Sequence, residues 1–261
     1  MNKIAVVTGG SSGIGLSTAK MLAVNGYTVY ELSRRESNIS GITHISADVT
    51  DTAAIQSAYS QIIDRHGEIN LLVCCAGMGV SGAVEFLPDS EVRRQMDVNF
   101  FGTVNAVRAV LPYMRKQCGG KIICVSSVAA VYSIPFQGYY SASKSAVNAF
   151  VDALVNEVKP FNIQVSSVMP GDIKTGFTAA RRKTVDGDDV YSGRISKAVA
   201  AMEKDETNGM SPEAIAKFIV MLAGKKHIAP LYTVGMQYKA LVFLSRVFPH
   251  DMAVRIVGKM Y

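Results

Sequence analysis

The chain has 261 residues, 49% hydrophobic and 18% charged. That apolar content offsets chain entropy and excludes disorder, and the length bounds the fold at one large or two small domains. The net charge of +6 is uneven: residues 1–180 carry 14 Lys and Arg against 13 Asp and Glu, and residues 181–261 carry 13 against 8, so five of the six excess charges sit in the last third.

No apolar run approaches the ~18 residues of a membrane-spanning helix. Met1 to Gly10 has no basic leader with a small-residue cleavage site, so no signal peptide is expected. Four cysteines, two of them adjacent at Cys74 and Cys75, have neither disulfide-framework nor CxxC metal spacing. A reducing, cytoplasmic setting without a metal is the expectation.

Short β-branched runs alternate with amphipathic stretches, the pattern of strand and helix units around a parallel sheet. In chain order, strands are expected at Lys3 to Thr8, Tyr27 to Leu32, Thr43 to Ser46, Ile69 to Cys74, Lys121 to Ser126, Gln164 to Met169 and Ile228 to Tyr232. Helices are expected at Ile14 to Asn25 and near 51–66, 89–117 and 139–158. This predicts an α/β fold with a seven-stranded parallel sheet flanked by helices, one domain over 1–261. Only nine residues, Ser33 to Gly41, join the second and third strands, too few for the usual helical crossover. Residues 172–210, charged and weakly periodic, read as a mobile substrate lid. Residues 224–261 read as a last strand and a basic amphipathic tail, with Leu241, Leu244, Val247 and Phe248 at helical spacing.

Thr8-Gly9-Gly10-Ser11-Ser12-Gly13-Ile14-Gly15 ends the first strand and opens the first helix. Glycines there allow a tight turn and close backbone approach to a pyrophosphate, while the helix N-terminus offers free N–H groups. Where a carboxylate at the end of the second strand would bind the ribose 2′-hydroxyl of NAD, this chain has Ser33-Arg34-Arg35. Guanidinium groups suit a 2′-phosphate, which favours NADP(H), with Arg34 the leading contact. Glu31, within the strand, is a rival for the ribose. Asp48-Val49, after the third strand, suit the adenine amino group.

Tyr140-Ser141-Ala142-Ser143-Lys144 sets a phenol and an ammonium at i and i+4 on one helix face. A nearby cation is expected to lower the phenol from its ordinary value near ~10, making it a proton donor or acceptor at a carbonyl or alcohol.

TGGSSGIG, CCAG at 74–77, Asn99 in MDVNFFG, Ser126-Ser127, YSASK and Pro170-Gly171 together resemble the short-chain dehydrogenase/reductase family in order and spacing, over residues 3 to about 176. The resemblance implies a doubly wound Rossmann fold and an NADP-dependent oxidoreductase acting on a carbonyl or secondary alcohol. It implies Tyr140 as acid/base, Lys144 as ribose anchor and pKa modulator, Ser127 as the hydroxyl that polarises the substrate oxygen, and Asn99 as holder of a relay water. Ser126, Ser141 and Ser143 fall outside that spacing. By the same resemblance Ala76 and Gly77 admit the dinucleotide, and Pro170, Gly171, Ile173 and Thr175 close over the nicotinamide. Cys74-Cys75 stand where the family usually has an Asn pair; buried, inert thiols are the expectation.

Pro230-Leu231-Tyr232, Gly235 and the tail loosely resemble the steroid and retinol dehydrogenase branch, implying a lipophilic small-molecule substrate. A 3-oxoacyl thioester reductase and a non-catalytic NADP-binding regulator stay open as alternatives. The tail suits contact with an anionic membrane surface, cover for an apolar pocket, or a dimer interface. The resemblance implies a homodimer or homotetramer through the helices near 89–117 and 139–158, and no motif supports nucleic-acid binding.

Overall fold

A computed structural model describes residues 2–247 and 249–260. In chain order the elements are β1 (Ile4–Thr8), α1 (Gly13–Val24), β2 (Thr28–Ser33), β3 (Ile42–Ser46), α2 (Thr52–His66), β4 (Leu71–Cys74), β5 (Val80–Ser81), α3 (Asp89–Met96), α4 (Gly102–Lys116), β6 (Gly120–Val125), α5 (Gly138–Val158), β7 (Ile163–Pro170), α6 (Phe177–Ala180), β8 (Arg182–Lys183), α7 (Arg194–Thr207), α8 (Pro212–Gly224), β9 (Leu231–Val234), α9 (Met236–Val247) and α10 (His250–Met260).

Seven strands form one parallel sheet in the order β3-β2-β1-β4-β6-β7-β9. The order reverses direction beside β1, and in such doubly wound sheets the ligand crevice opens at the strands' carboxyl ends at that switch point. Strand burial explains the composition: β1 is buried along its whole length, so alternate residues feed both faces. Val6, Leu72 and Ile122 join Ile62, Val110 and Val151 on one side, and Ala5, Val73 and Ile123 join Ala19, Leu22, Ile215 and Ile219 on the other. Among the described residues no helix is long and apolar enough to cross a membrane.

The connection from β2 to β3, Arg34 to Gly41, is eight residues long, one fewer than expected because Ser33 belongs to β2, and contains no helix. Elsewhere tertiary context alters the sequence expectations. The helix expected over 89–117 is interrupted by a π turn at Asp97–Phe101. The last strand lies at Leu231–Val234, three residues later than its β-branched run suggested at the start. Residues 172–210 are structured, not irregular: α6, β8 and α7 occupy them, β8 pairs with β5, and Ile195, Ala198, Val199 and Met202 bury one face of α7. Their i, i+3/i+4, i+7 spacing is helical, but surrounding charge obscured it. The helix α8 was not anticipated, because its apolar residues leave little polar contrast. In α9, Leu241 packs partly buried against the Tyr132, Met169 and Val242 cluster while Leu244 and Val247 are exposed, so the tail's stripe is split between core and solvent; Phe248 lies outside the described residues.

Candidate active site

The glycine loop, Cys74-Cys75-Ala76-Gly77, Ser126-Ser127 and Pro170-Gly171 lie at the carboxyl ends of β1, β4, β6 and β7, Arg34-Arg35 and Asp48-Val49 follow β2 and β3, Asn99 lies between α3 and α4, and Tyr140 and Lys144 lie on α5. At β1, Gly9 and Gly13 adopt φ of +67° and +52°, which L side chains rarely tolerate. A Cβ on Gly9 would sit 2.8 Å from the Ala76 backbone, and one on Gly15 would overlap the Gly9 carbonyl oxygen. Ser12 precedes α1 without capping it through its side chain, and the first turn has no acidic residue. The α1 N–H groups are therefore free of side-chain competition, and the cradle fits a dinucleotide pyrophosphate. Thr175, from the segment after β7, packs its methyl toward Gly13, across the same cleft. Ile173 is buried and forms an isolated bridge to Met210, and Gly171 packs against Tyr238 of α9.

At the end of β2, Arg34 and Arg35 are exposed, and the Arg34 guanidinium stands 3.9 Å from Asp48 Oδ2. Asp48 Oδ1 accepts from the Thr50 backbone and hydroxyl, which fixes that turn. Val49 is buried. Glu31 is buried beside Gly10, its Oε1 engaged by Ser37 and His44 while Oε2 has no hydrogen-bond partner among the described residues. It pins the helix-free crossover that presents the two arginines.

Cys74 continues the β4 ladder opposite Thr8 and Cys124, so the Cys pair leaves the sheet geometry intact. Burial pushes the Cys75 thiol up to about 12, and contact with Cys124 together with burial pushes Cys74 well up; both thiols are inert at neutral pH. Ala76 donates its N–H to the Thr8 hydroxyl, holding the β4 loop against the phosphate cradle.

Asn99 sits in the π turn, a distortion frequent at functional sites. Its Oδ1 accepts from Met78 N at 2.8 Å, and its Nδ2 donates to Met78 O and Ser143 Oγ, both at 3.0 Å. The amide is thus fully used in tying the β4 loop to α5. Gly77 leaves room for both Asn99 and Lys144: a Cβ there would approach Asn99 Oδ1 to 3.4 Å and Lys144 Nζ to 3.6 Å.

Ser127 follows β6, and its Oγ accepts from Ala129 N at 3.1 Å. The same hydroxyl favours the ionised form of the nearby Tyr140 phenol. Tyr140 lies in the first turn of α5. Lys144, one turn on, is buried, donates to the Val125 carbonyl at 3.0 Å and lies 5.8 Å from the Tyr140 ring centroid. Burial pushes the phenol up to about 12, opposed by the Ser127 hydroxyl and the Arg181 charge; burial pushes the ammonium down to about 8. The phenol therefore stands above, not below, its ordinary value: burial is the largest influence on it, and Lys144, itself lowered by burial, is not among the charges that oppose the rise. The serines outside the catalytic spacing are structural: Ser126 donates to Lys144 O, Ser143 to Tyr140 O, and Ser141 accepts from Ile134 N.

Sequence reasoning missed Arg181, Glu206 and Asp172, all of which act electrostatically on Tyr140. It also missed Phe177, whose ring centroid is 5.9 Å from that of Tyr140. They come from the charged segment that showed no motif.

A dinucleotide cradle at the switch point of a doubly wound sheet, with Ser, Tyr and Lys converging beside it, defines an oxidoreductase architecture. The short chain dehydrogenase model matches residues 3–186, and the chain belongs to that family. It is 42% identical over 262 residues to a 3-ketodihydrosphingosine reductase of Bacteroides thetaiotaomicron, covering 99% of this chain and 97% of that one. It is 30% identical to the Xenopus tropicalis dehydrogenase/reductase SDR family member 7B, over 94% of this chain and 82% of that protein. Among solved structures, a short-chain dehydrogenase from Streptomyces avermitilis superposes with a TM-score of 0.84 at 26% identity, covering 98% of this chain and 94% of its own.

Proposed function

We propose that this protein is an NADP(H)-dependent reductase of a lipophilic ketone, interconverting it with the secondary alcohol. The observation that carries the reading is the buried Lys144 one turn on from Tyr140, its Nζ 5.8 Å from the phenol ring centroid. A binding module has no use for a desolvated ammonium held beside a phenol, whereas proton transfer at a carbonyl requires a donor kept neutral at working pH.

When bound, the dinucleotide supplies the hydride. Gly9, Ser11, Ser12, Gly13, Ile14 and Gly15 hold its pyrophosphate, Arg34 and Arg35 its 2′-phosphate, and Asp48 and Val49 its adenine. Ala76, Gly77, Pro170, Gly171, Ile173 and Thr175 enclose the remainder. Ser127 orients the substrate oxygen through its free O–H, and Tyr140 donates the proton. Lys144 stabilises the phenolate left behind and anchors the ribose. Asn99 keeps the loop, the relay and α5 in register.

Support for a lipophilic substrate is twofold. The relative 42% identical over nearly the whole chain is named for a long-chain keto compound. The C-terminal helices next to the site also carry Met236, Phe243 and Leu244 on exposed faces, while Tyr238 of α9 bonds Asp172 beside the nicotinamide segment.

The test is nicotinamide absorbance with NADPH or NADH against 3-ketodihydrosphingosine, ketosteroids, retinoids, simple ketones and 3-oxoacyl thioesters. Turnover of the long-chain ketone with NADPH is expected. Preferential turnover of the thioesters overturns the substrate class, and equal use of NADH overturns the cofactor assignment.

A further inference from the structure

Arg181 touches none of the reacting groups as described, yet its charge reaches Tyr140. Its side chain is 1% exposed. Nη2 donates to Glu206 Oε1, whose partner oxygen accepts from the Thr178 hydroxyl at 2.6 Å. Nε and Nη1 have no hydrogen-bond partner among the described residues. The guanidinium lies 5.6 Å from the Phe177 ring centroid, and that ring packs against Tyr140. Gly79 makes the space: a Cβ there would come within 3.2 Å of Arg181 Nε and 3.0 Å of the Phe177 ring. Buried donors are almost always paired in native proteins, so an unpaired guanidinium flank next to a reacting phenol marks a place where a ligand completes the set.

The surrounding charge selects the acceptor. Glu206 already takes one edge of the guanidinium, Asp205 precedes it in α7, and Asp172 and Glu206 both disfavour the ionised Tyr140. A carboxylate or phosphate would add a like charge to an already acidic corner, whereas a hydroxyl accepts without adding charge. A neighbouring ammonium would be attracted.

We propose that Arg181 is a head-group subsite, whose Nε and Nη1 donate to the hydroxyl oxygen of a substrate that carries an uncharged hydroxyl, and no anion, close to the reacting ketone. The inference rests on the reductase reading and narrows it from any lipophilic ketone to a hydroxy or amino-hydroxy ketone. Nε and Nη1 are closed off from solvent, so the contact requires α6 and α7 to shift from the arrangement described.

The experiment compares 3-ketodihydrosphingosine with its 1-deoxy analogue in the wild type and in Arg181→Met. One neutral-acceptor contact to a charged donor corresponds to roughly a tenfold change in KM. The wild type is expected to show a KM about tenfold lower for the hydroxylated ketone. Arg181→Met should erase that difference by raising this KM and not the deoxy KM; any change in kcat through the lost charge near Tyr140 should be the same factor for both ketones. Equal effects on both KM values, or none, overturn the subsite. If Arg181→Met does not fold, the wild-type ratio and Arg181→Lys, which keeps a cation for Glu206, carry the same comparison. Calorimetric titration of the NADP-loaded enzyme with dihydrosphingosine and its 1-deoxy analogue reads the contact without turnover. An enzyme inert toward both ketones that still binds the hydroxylated alcohol about tenfold more tightly disproves the reductase reading and keeps the subsite; equal binding disproves the subsite.

Discussion

Lys144 Nζ stands 5.8 Å from the centroid of the Tyr140 ring while donating its hydrogen bond to the Val125 carbonyl, 3.0 Å away. The ammonium is held by the end of β6 and reaches the phenol from below, so the helix that carries both residues and the strand that anchors one of them must stay in register.

That placement sets a pH dependence. Burial lowers Lys144 to about 8, whereas Tyr140 is raised to about 12, so Lys144 is the first of the two to lose its proton as pH rises. Since kcat/KM reports free-enzyme ionisations, kcat/KM for NADPH in ketone reduction should be level below pH 8 and fall above it. A profile flat to pH 10 contradicts this role for Lys144.

The same shift predicts a stability effect. The unfolded chain holds the Lys144 proton up to 10.5 and the folded chain only to about 8. The unfolded state therefore binds more protons between these values, and stability rises with pH across that window. The difference of 2.5 units corresponds to ~3 kcal/mol of strain at pH 7, less ~1 kcal/mol for the hydrogen bond to Val125. Lys144→Met should accordingly be about 2 kcal/mol more stable than wild type at pH 7 in urea unfolding, with the gap closing by pH 10.5, and inactive at both.

Tyr140→Phe removes the proton donor and keeps the ring against Phe177. Ketone reduction should fall by roughly 10²- to 10⁴-fold, with the NADPH dissociation constant unchanged in an equilibrium titration.

Arg34 is exposed and its nearest ionic partner, Asp48, is 3.9 Å away, so it has little structural work to lose. Arg34→Ala should weaken NADPH binding by about 10- to 100-fold and leave NADH within twofold, as expected for a charge-assisted bond to a phosphate.

Asn99 satisfies both backbone groups of Met78 and the Ser143 hydroxyl from a fully buried position. Asn99→Ala leaves the Met78 N–H unpaired, while Gln95 still donates to the Met78 carbonyl and Ser143 still donates to Tyr140 O, and should cost about 1–3 kcal/mol in chemical unfolding, the range for one group left unpaired. Activity should fall as well, because the Met78 loop and α5 are then no longer tied.

The local motifs alone determined the parallel sheet, the glycine cradle, the helix-free crossover, and the serine, tyrosine and lysine that meet at its mouth. Each depends on short-range chemistry: Gly9 on backbone conformation, Tyr140 and Lys144 on helical spacing, Ser33-Arg34-Arg35 on position at a strand end. The tertiary structure alone decided the rest. Glu31 is a structural anchor because His44 and Ser37 come to it across β3. The phenol is raised because the fold desolvates it. Arg181, Glu206 and Asp172 reach Tyr140 because α6 and α7 fold back over the sheet. Burial and charge are sums over neighbours distant in sequence, and no spacing rule within a single segment contains them.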